Sequence, residues 1–230
     1  MIEIFSDSLV NQHTGKNDFY KINLLEGFNE IIQVTSQTDK DWTKSRADIV
    51  DNHVIPTINA IPNPSNSDIQ AVLTDYIGED RKWSWANKAI HLTSDEYTWF
   101  TLTTLNNKTQ AIALIFHPKA SDITGDPIFY IDFIASAPWN RDTPRSSKVY
   151  GKGGSILIGG ISKWFIDNHN YTTGFSLHAL PKAEGFYNYI GMQDLGIDTK
   201  KENLRKFEMA QSEFNHFITG IDSFIGVNNV

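Results

Sequence analysis

The spacing of hydrophobic residues changes character partway along the chain. Over 69–77 apolar residues recur at the three- and four-residue spacing of a helix, and the preceding polar loop offers Ser67 or Asp68 as its N-cap. A weaker helical pattern over 40–60 is interrupted by Pro56. The pattern therefore predicts helices in the first part of the chain.

From Tyr97 onward the pattern is that of β-strands. Residues 97–105 are rich in threonine and aromatic residues, and the turn-forming Asn-Asn-Lys of 106–108 separates them from the apolar run 111–116. This arrangement predicts a β-hairpin. Residues 127–135 are nearly all apolar, which is typical of a strand buried on both faces.

The rest of the chain alternates between helical and strand patterns, which predicts a mixed sheet with helices packed against it. No element is assigned to 1–38. The remaining predicted elements are a helix over 153–168, a strand over 174–180, a helix over 182–190, a strand over 204–209 and a helix over 211–218.

The amino-acid composition excludes several kinds of structural and catalytic site. A chain of 230 residues with 40% hydrophobic residues can bury a core without metal or disulfide support. The absence of cysteine excludes disulfides, thiolate zinc sites and cysteine nucleophiles, and it fits a reducing cytoplasm. The seven histidines show no metal-ligand spacing, so no metal site is expected.

The net charge and the distribution of apolar residues indicate which kinds of binding partner to expect. A net charge of -7 argues against a broad basic surface for nucleic acid and slightly favours a cationic substrate such as an amine. The N-terminal sequence has no basic region followed by a long apolar run, and no stretch approaches the ~20 apolar residues of a membrane span. We expect a soluble, cytoplasmic protein with no membrane partner.

The segment KVYGKGGSIL, residues 148–157, follows a strand and opens a helix. Its glycines let the backbone approach a ligand, and the first amides of a helix together with the helix dipole attract an anion. The alternative is a tight turn and nothing more. A Walker-type phosphate loop is excluded because Lys152 is followed by Gly153, and the dinucleotide fingerprint lacks its third glycine and its downstream acidic residue.

Three motifs taken together resemble the GNAT N-acetyltransferase superfamily. Lys148-x-x-Gly151-x-Gly153 is similar to the family's pyrophosphate loop, Q/R-x-x-G-x-G/A. The segment AEGFYNYIGM, 183–192, resembles its A-x-x-F-Y-x-x-x-G-F helix end, and YIDFIASAP, 130–138, resembles its central strand. The motifs occur in the family's order, and the resemblance covers roughly 97–217.

Two departures from the family pattern stand out. Lys148 replaces the preferred glutamine or arginine, which should be tolerable because the loop amides hold the phosphates. In addition, ten positions separate Pro138 from Lys148, where the family usually has far fewer. The extra residues make a longer loop beside the cofactor mouth.

The resemblance implies an α/β (α+β) protein with the GNAT fold, a mixed central sheet with a hairpin and helices on both faces. It implies a single domain in which 96–230 form the acetyl-CoA-binding core and 1–95 supply the acceptor side. The implied activity is transfer of an acetyl group from acetyl-CoA to a primary amine by direct attack in a ternary complex. A small molecule or a protein could supply the amine, and a homodimer is left open.

The resemblance also implies which residues bind the cofactor. The backbone groups of Ile134 and Ser136 would pair with the pantetheine arm as if it were an added strand, because the arm contains two amides; ordinary strand pairing is the alternative. The residues implied at the diphosphate are Lys148, Gly151, Lys152, Gly153, Gly154 and Ser155.

Two side chains are candidates for catalysis. The resemblance places Tyr187 as the acid that protonates the departing thiolate, since a phenol is neutral near pH 7 and can donate; the alternative is a tyrosine packed against the sheet. Asp132 stands alone among apolar neighbours, where burial raises a carboxyl pKa toward the range of a useful base. The alternatives are an aspartate held by an arginine or backbone amides, and deprotonation through water.

The acceptor side has weaker candidates. His178 lies in a strand that would face the cleft, where it could bind substrate or act as the base, although a lone histidine is more often structural. Trp139, Asn140 and Arg141 could line the acceptor pocket or only decorate a surface loop.

Two other functions share the same motifs. One is an acyl-CoA-binding or interaction module without catalysis, against which the retained tyrosine and glycine loop weigh. The other is a toxin that acetylates aminoacyl-tRNA, which would need a basic face that the net charge does not favour.

Overall fold

The computed structural model describes residues 1–144 and 146–222. It contains a single eight-stranded sheet in the order β1-β2-β3-β4-β5-β6-β8-β7. The strands are β1 (Ile2–Val10), β2 (Asn17–Leu25), β3 (Tyr97–Thr104), β4 (Thr109–Ala120), β5 (Pro127–Ser136), β6 (Phe175–Ala179), β7 (Gln193–Asp198) and β8 (Leu204–Glu208). The helices are α1 (Phe28–Ile49), α2 (Ile55–Asn59), α3 (Asn66–Ile77), α4 (Trp85–His91), α5 (Gly153–His169), α6 (Glu184–Tyr189) and α7 (Gln211–Asp222).

The sheet is mixed, as the sequence predicts. Strands β5 and β6 run parallel, and every other neighbouring pair is antiparallel. The predicted hairpin is β3–β4. The prediction of a mixed sheet flanked by helices is confirmed.

The two faces of the sheet carry separate cores, and β4 shows why. Its side chains alternate with period two, so that Ala111, Ala113 and Ile115 join the cluster beneath α5, whereas Ile112 and Leu114 join the cluster beneath α1 and α4. All five are fully buried. A strand covered on both faces in this way reads as a continuous apolar run in the sequence.

The helical part before the sheet core differs from the sequence prediction in two details. The cap of α3 is Ser65, which accepts from the amide of Asp68 in a capping box, so the predicted caps Ser67 and Asp68 were wrong. Pro56 does not end the helical path: α1 continues through a π-helical turn, Val50–Val54, into α2, and Pro56 is the second residue of α2, so the proline coincides with a local change of helix type.

The N-terminal residues that the sequence left unassigned form β1, β2 and the start of α1, and β2 pairs with β3. Strand β7 was also missed, because none of its residues is buried and its burial pattern shows little alternation. Within the described residues, no helix has both the length and the apolar character needed to cross a membrane.

Candidate functional site

Strands β5 and β6 pair over a short distance and then separate. Their register runs from Phe129 opposite Phe175 to Ile131 opposite Leu177, and no pairing follows. Among the described residues, no strand pairs with this edge of β5 beyond Ile131. This gap in the middle of the sheet is open to a ligand with peptide-like groups.

A β-bulge lies where the two strands separate. Leu114 of β4 pairs with Phe133, whereas the next residue of β4, Ile115, pairs with Ile131. Asp132 is the extra residue, and bulges of this kind redirect side chains next to functional sites. Its carboxylate lies on the wall of two cavities on the α1 and α4 side of the sheet.

The backbone groups of Ile134 and Ser136 point into the gap. The amide of Ala137 donates to the carbonyl of Gln110 in β4 at 2.9 Å, and in an antiparallel pair alternate residues point toward and away from the partner. Ile134 and Ser136 are therefore turned away from β4. The Ser136 carbonyl already accepts from Arg141 at 2.6 and 3.1 Å, so Ile134 offers the less committed groups.

The glycine segment begins α5 beside the end of β5. Lys152 is the N-cap in left-handed conformation, with φ of 62° and no side-chain cap. The first amide with a partner is that of Ile156, and the amides of Gly153, Gly154 and Ser155 donate to no described residue. Such amides at a helix N-terminus are available to an anion.

The start of α5 lies close to the end of β5. A Cβ added at Gly154 would lie 3.8 Å from the Ser136 hydroxyl, so the helix begins directly against the end of β5. A cavity of about 850 Å³ opens at the same helix start, with Lys148, Lys152 and Ser155 on its wall. Lys148 is partly neutralised by Asp142 at 2.9 Å.

Tyr187 lies in α6 on the α5 side of the sheet. It is 6% exposed, and its ring centroid is 5.2 Å from that of Phe186 and 5.8 Å from that of Phe207. Its hydroxyl makes no hydrogen bond within the described part of the chain. Burial raises the pKa of the Tyr187 phenol, so the group stays protonated at neutral pH. Its assignment as the proton donor stays a prediction.

Asp132 is largely buried, with 13% of its side chain exposed, and Lys201 approaches it no closer than 3.9 Å. Burial raises the pKa of Asp132, and the charges of Lys201, Lys88 and His178 oppose this shift without cancelling it. No arginine or backbone amide among the described residues holds the carboxylate. A carboxyl group with a raised pKa beside a cavity is a candidate base, and that role for Asp132 stays a prediction.

His178 is close to Asp132 but is already hydrogen-bonded on both sides. Its Nε2 lies 3.1 Å from a carboxylate oxygen of Asp198, and its Nδ1 lies 2.7 Å from the hydroxyl of Tyr130. Since a carboxylate only accepts, the neutral ring donates from Nε2 and accepts from the phenol at Nδ1. Burial lowers the pKa of His178, with Asp198 opposing. This arrangement favours an orienting role over that of a free base.

The loop after β5 is anchored by its polar groups. Asn140 is buried, donates to the backbone and side chain of Gln110, and accepts from the amide of Tyr150; Trp139 donates to the same Gln110 side chain at 2.7 Å. Arg141 is bidentate on the buried Asp80. These contacts support a structural role, and the prediction that the three loop residues line the acceptor pocket is untested.

The structure brings to the two cavities beside Asp132 further residues that the sequence did not indicate. They come from α4 and its preceding turn, from β5 and from the turn after β7, and no pattern in the sequence links these segments. The residues are Trp83, Lys88, Tyr130 and Lys201.

Several solved structures are similar to this chain. FeeM, an N-acyl amino acid synthase from uncultured soil microbes, gives a TM-score of 0.50 at 12% identity, over 86% of this chain and 93% of that one. FdhC, a nucleotide-linked sugar GNAT, gives 0.49 at 10% identity, over 98% and 99%. The spermidine N-acetyltransferase of Vibrio cholerae, solved with CoA and spermine, gives 0.45 at 13% identity, over 85% and 98%.

No family sequence model and no curated protein sequence matches the chain. At these identities the structural similarity concerns the fold. The architecture is consistent with the GNAT fold that the sequence motifs indicated.

Proposed function

We propose that this GNAT-fold chain is an acetyl-CoA-dependent N-acetyltransferase that moves an acetyl group to a primary amine by direct attack in a ternary complex. One observation carries the proposal: the amides at the start of α5 that donate to no described residue lie against Ser136, at the end of the stretch of β5 that no longer pairs with β6. A diphosphate at the amides would allow an arm to enter the gap from the same end.

The residues at this position fit CoA. The amides of Gly153, Gly154 and Ser155 can hold a diphosphate, and Lys148 and Lys152 stand on the wall of the adjoining cavity. The inward-facing amide and carbonyl of Ile134 can pair with one amide of the pantetheine arm. These features support the cofactor-binding residues proposed from the sequence.

In this reaction the protein orients the amine and the thioester, accepts a proton from the amine and donates one to the leaving sulfur. Acetyl-CoA, when bound, supplies the activated acetyl group as a thioester. Asp132 accepts a proton from the ammonium of the acceptor, which leaves an amine able to attack the carbonyl carbon. Tyr187 donates its phenol proton to the leaving sulfur, and the second proton that the acceptor nitrogen loses as the amide forms returns to the phenolate through solvent. The products are the acetylated amine and the free thiol.

The N-terminal part of the chain completes the acceptor side in this proposal. Trp83 and Lys88 lie before position 96 and stand on the same cavity wall as Asp132. The lack of cysteine and the need for acetyl-CoA support a cytoplasmic location. A free amine in a small molecule or a protein can reach this cavity.

The experiment combines binding with turnover. CoA binding is measured by calorimetry, and thiol release from acetyl-CoA is followed with a panel of amines. Tight binding without turnover on any acceptor would favour the non-catalytic module, and no binding at all would overturn the proposal.

The variant Tyr187→Phe tests the proton donor. We expect CoA binding to survive and turnover to fall by about 10²-fold or more, because a positioned general acid contributes this much. Tyr171→Phe is the matched control, since it removes a hydroxyl from another buried tyrosine that packs beside Phe165 of α5. Unchanged turnover in Tyr187→Phe would remove Tyr187 from the chemistry.

A further inference from the structure

Two adjoining cavities lie over the separation of β5 and β6, on the face opposite α5. Their volumes are about 290 and 370 Å³, near the lower limit of small-molecule pockets, about 300 Å³. They share Tyr130, Asp132, His178 and Lys201 on their walls. A small acceptor would therefore contact Asp132 whichever cavity its other end occupies.

The walls of these cavities are richer in lysine than the chain as a whole. The protein has 27 acidic and 20 basic residues, yet lysines outnumber carboxylates here. The lysines are Lys88, Lys119, Lys200, Lys201 and Lys206, and the carboxylates are Asp132, Asp198 and Glu202.

Carboxylates neutralise only some of the lysines beside the smaller cavity; the ammonium of Lys201 lies 3.9 Å from Asp132. Asp198 is committed to the His178 ring and to the amide of Lys200. Lys206 pairs with Asp122. Among the described residues, Lys119 has no carboxylate at ion-pair distance; its ammonium lies 5.4 Å from the centroid of the Tyr130 ring.

Like charges also lie near each other. Burial, and after it the charge of Lys119, lowers the pKa of Lys206. An anion bound between these ammonium groups would relieve their repulsion and would lose little to screening by water, because Lys206 is only 14% exposed.

On the basis of the proposed function, we propose that the acceptor is an amine that also carries a carboxylate, an amino acid with an apolar side chain. Asp132 receives its ammonium, and Lys119 and Lys201 receive its carboxylate. The aromatic wall of Tyr97, Phe116 and Tyr130 takes the side chain. A polyamine would instead place a second cation against the lysines, which is unfavourable.

The test compares phenylalanine with phenylalaninamide, which differ in the anionic group. The amide has the less basic amine, so chemistry alone favours it. We expect kcat/KM for thiol release from acetyl-CoA to be roughly 10-fold or more higher with phenylalanine, since a hydrogen bond to a charged group supplies this much. Binding of both compounds to the CoA-loaded protein is measured by calorimetry.

Lysine variants attribute the preference to its residues. Lys119→Met should reduce the ratio of kcat/KM for phenylalanine to that for phenylalaninamide to near one. Lys119→Arg should retain the ratio, so the two variants together distinguish an effect of charge from an effect of packing. Lys44→Met is the control, because Lys44 is exposed in α1.

The outcomes separate the inference from the proposed function. The inference is overturned if calorimetry finds equal affinity for acid and amide, if Lys119→Met leaves their ratio unchanged, or if spermidine outcompetes both. Absence of thiol release with every amine, despite CoA binding, overturns the proposed function instead, and the calorimetric comparison still decides the acceptor chemistry.

Discussion

At the scale of single residues, Asp132 shows how the sequence pointed to a site without describing it. One carboxylate among apolar residues in a predicted buried strand indicated either a base or a buried ion pair. In the structure no arginine or backbone amide among the described residues holds the carboxylate, and its one ion-pair contact, with Lys201, is long at 3.9 Å, so the role of base stays a prediction. The bulge that turns the side chain into a cavity could not be read from the sequence, since it depends on the register with β4.

The variant Asp132→Asn tests this reading through pH. Burial raises the pKa of Asp132 above its ordinary value of 3.8, and only the ionised form accepts a proton, so kcat/KM should fall as pH drops through that raised pKa. Asp132→Asn should lose about 10² to 10⁴ in kcat/KM at neutral pH and should lose the acid limb. The pH–rate profiles of both proteins are the measurement. If kcat/KM of Asp132→Asn still falls at low pH in the same way, the titrating group is another residue.

His178 illustrates the opposite case. The sequence left open whether it binds substrate, acts as the base or is structural, and its two partners, Tyr130 and Asp198, come from strands that meet it only in the fold. The sequence could not indicate that both nitrogens are occupied. A histidine in an otherwise apolar strand therefore could not be assigned a role from its neighbours in the chain.

At the scale of elements, α5 was predicted closely because its start and its face are both local features. The glycines that begin it and the run of apolar residues after them mark a helix in the sequence. The sequence did not show how closely α5 packs against the sheet. Gly160 lies so near β2 that an added Cβ would stand 2.3 Å from the Cδ1 of Ile22.

The variant Gly160→Ala should destabilise the protein by about 1–3 kcal/mol, because the added methyl overpacks the contact with Ile22. Combining it with Ile22→Val, which removes Cδ1, should recover part of the loss. Urea denaturation of the two single variants and the double variant measures the coupling.

Gly185→Ala in α6 is the control for this pair, because an added Cβ there meets nothing within 4 Å. Relative to glycine, alanine should stabilise a helix position by about 0.5–1 kcal/mol. A Gly160→Ala variant that gains stability as Gly185→Ala is expected to, or that shows no coupling with Ile22, would contradict the close contact.

At the scale of the whole molecule, one buried ion cluster joins the two parts of the chain. Asp80, in the turn after α3, contacts Arg46 of α1 at 3.3 Å and Arg141 of the loop after β5 at 2.5 Å. Arg141 in turn holds the carbonyl of Ser136. Burial would raise the pKa of Asp80, but the arginines hold it below its ordinary value.

The variant Asp80→Asn should cost about 3–5 kcal/mol in the free energy of unfolding, because two largely buried guanidinium groups lose their counter-charge. Since the pKa of Asp80 is lowered in the folded state, its contribution is present above the unfolded value and is lost as pH falls through the folded one. Urea denaturation at pH 7 and at lower pH measures both effects.

Asp75→Asn provides the comparison, because Asp75 also pairs across the two parts of the chain, with Lys182, yet both side chains are about half exposed. We expect a loss of no more than about 1 kcal/mol for this exposed pair. Equal losses in the two variants would mean that the cluster at Asp80 contributes no more than a surface ion pair.

The sequence by itself determined the elements from β3 onward, apart from β7, because helical and strand periodicities and helix-start residues are properties of neighbouring positions. The GNAT fold was indicated by the resemblance of three motifs to that family. It also singled out the glycine turn, Asp132 and Tyr187. Tertiary structure alone decided the places of β1 and β2, the pairing of His178, the ion cluster at Asp80 and the lysine-lined cavities. Those features depend on which distant segments meet, and hydrogen bonds, burial and charge act between side chains that no spacing along the chain relates.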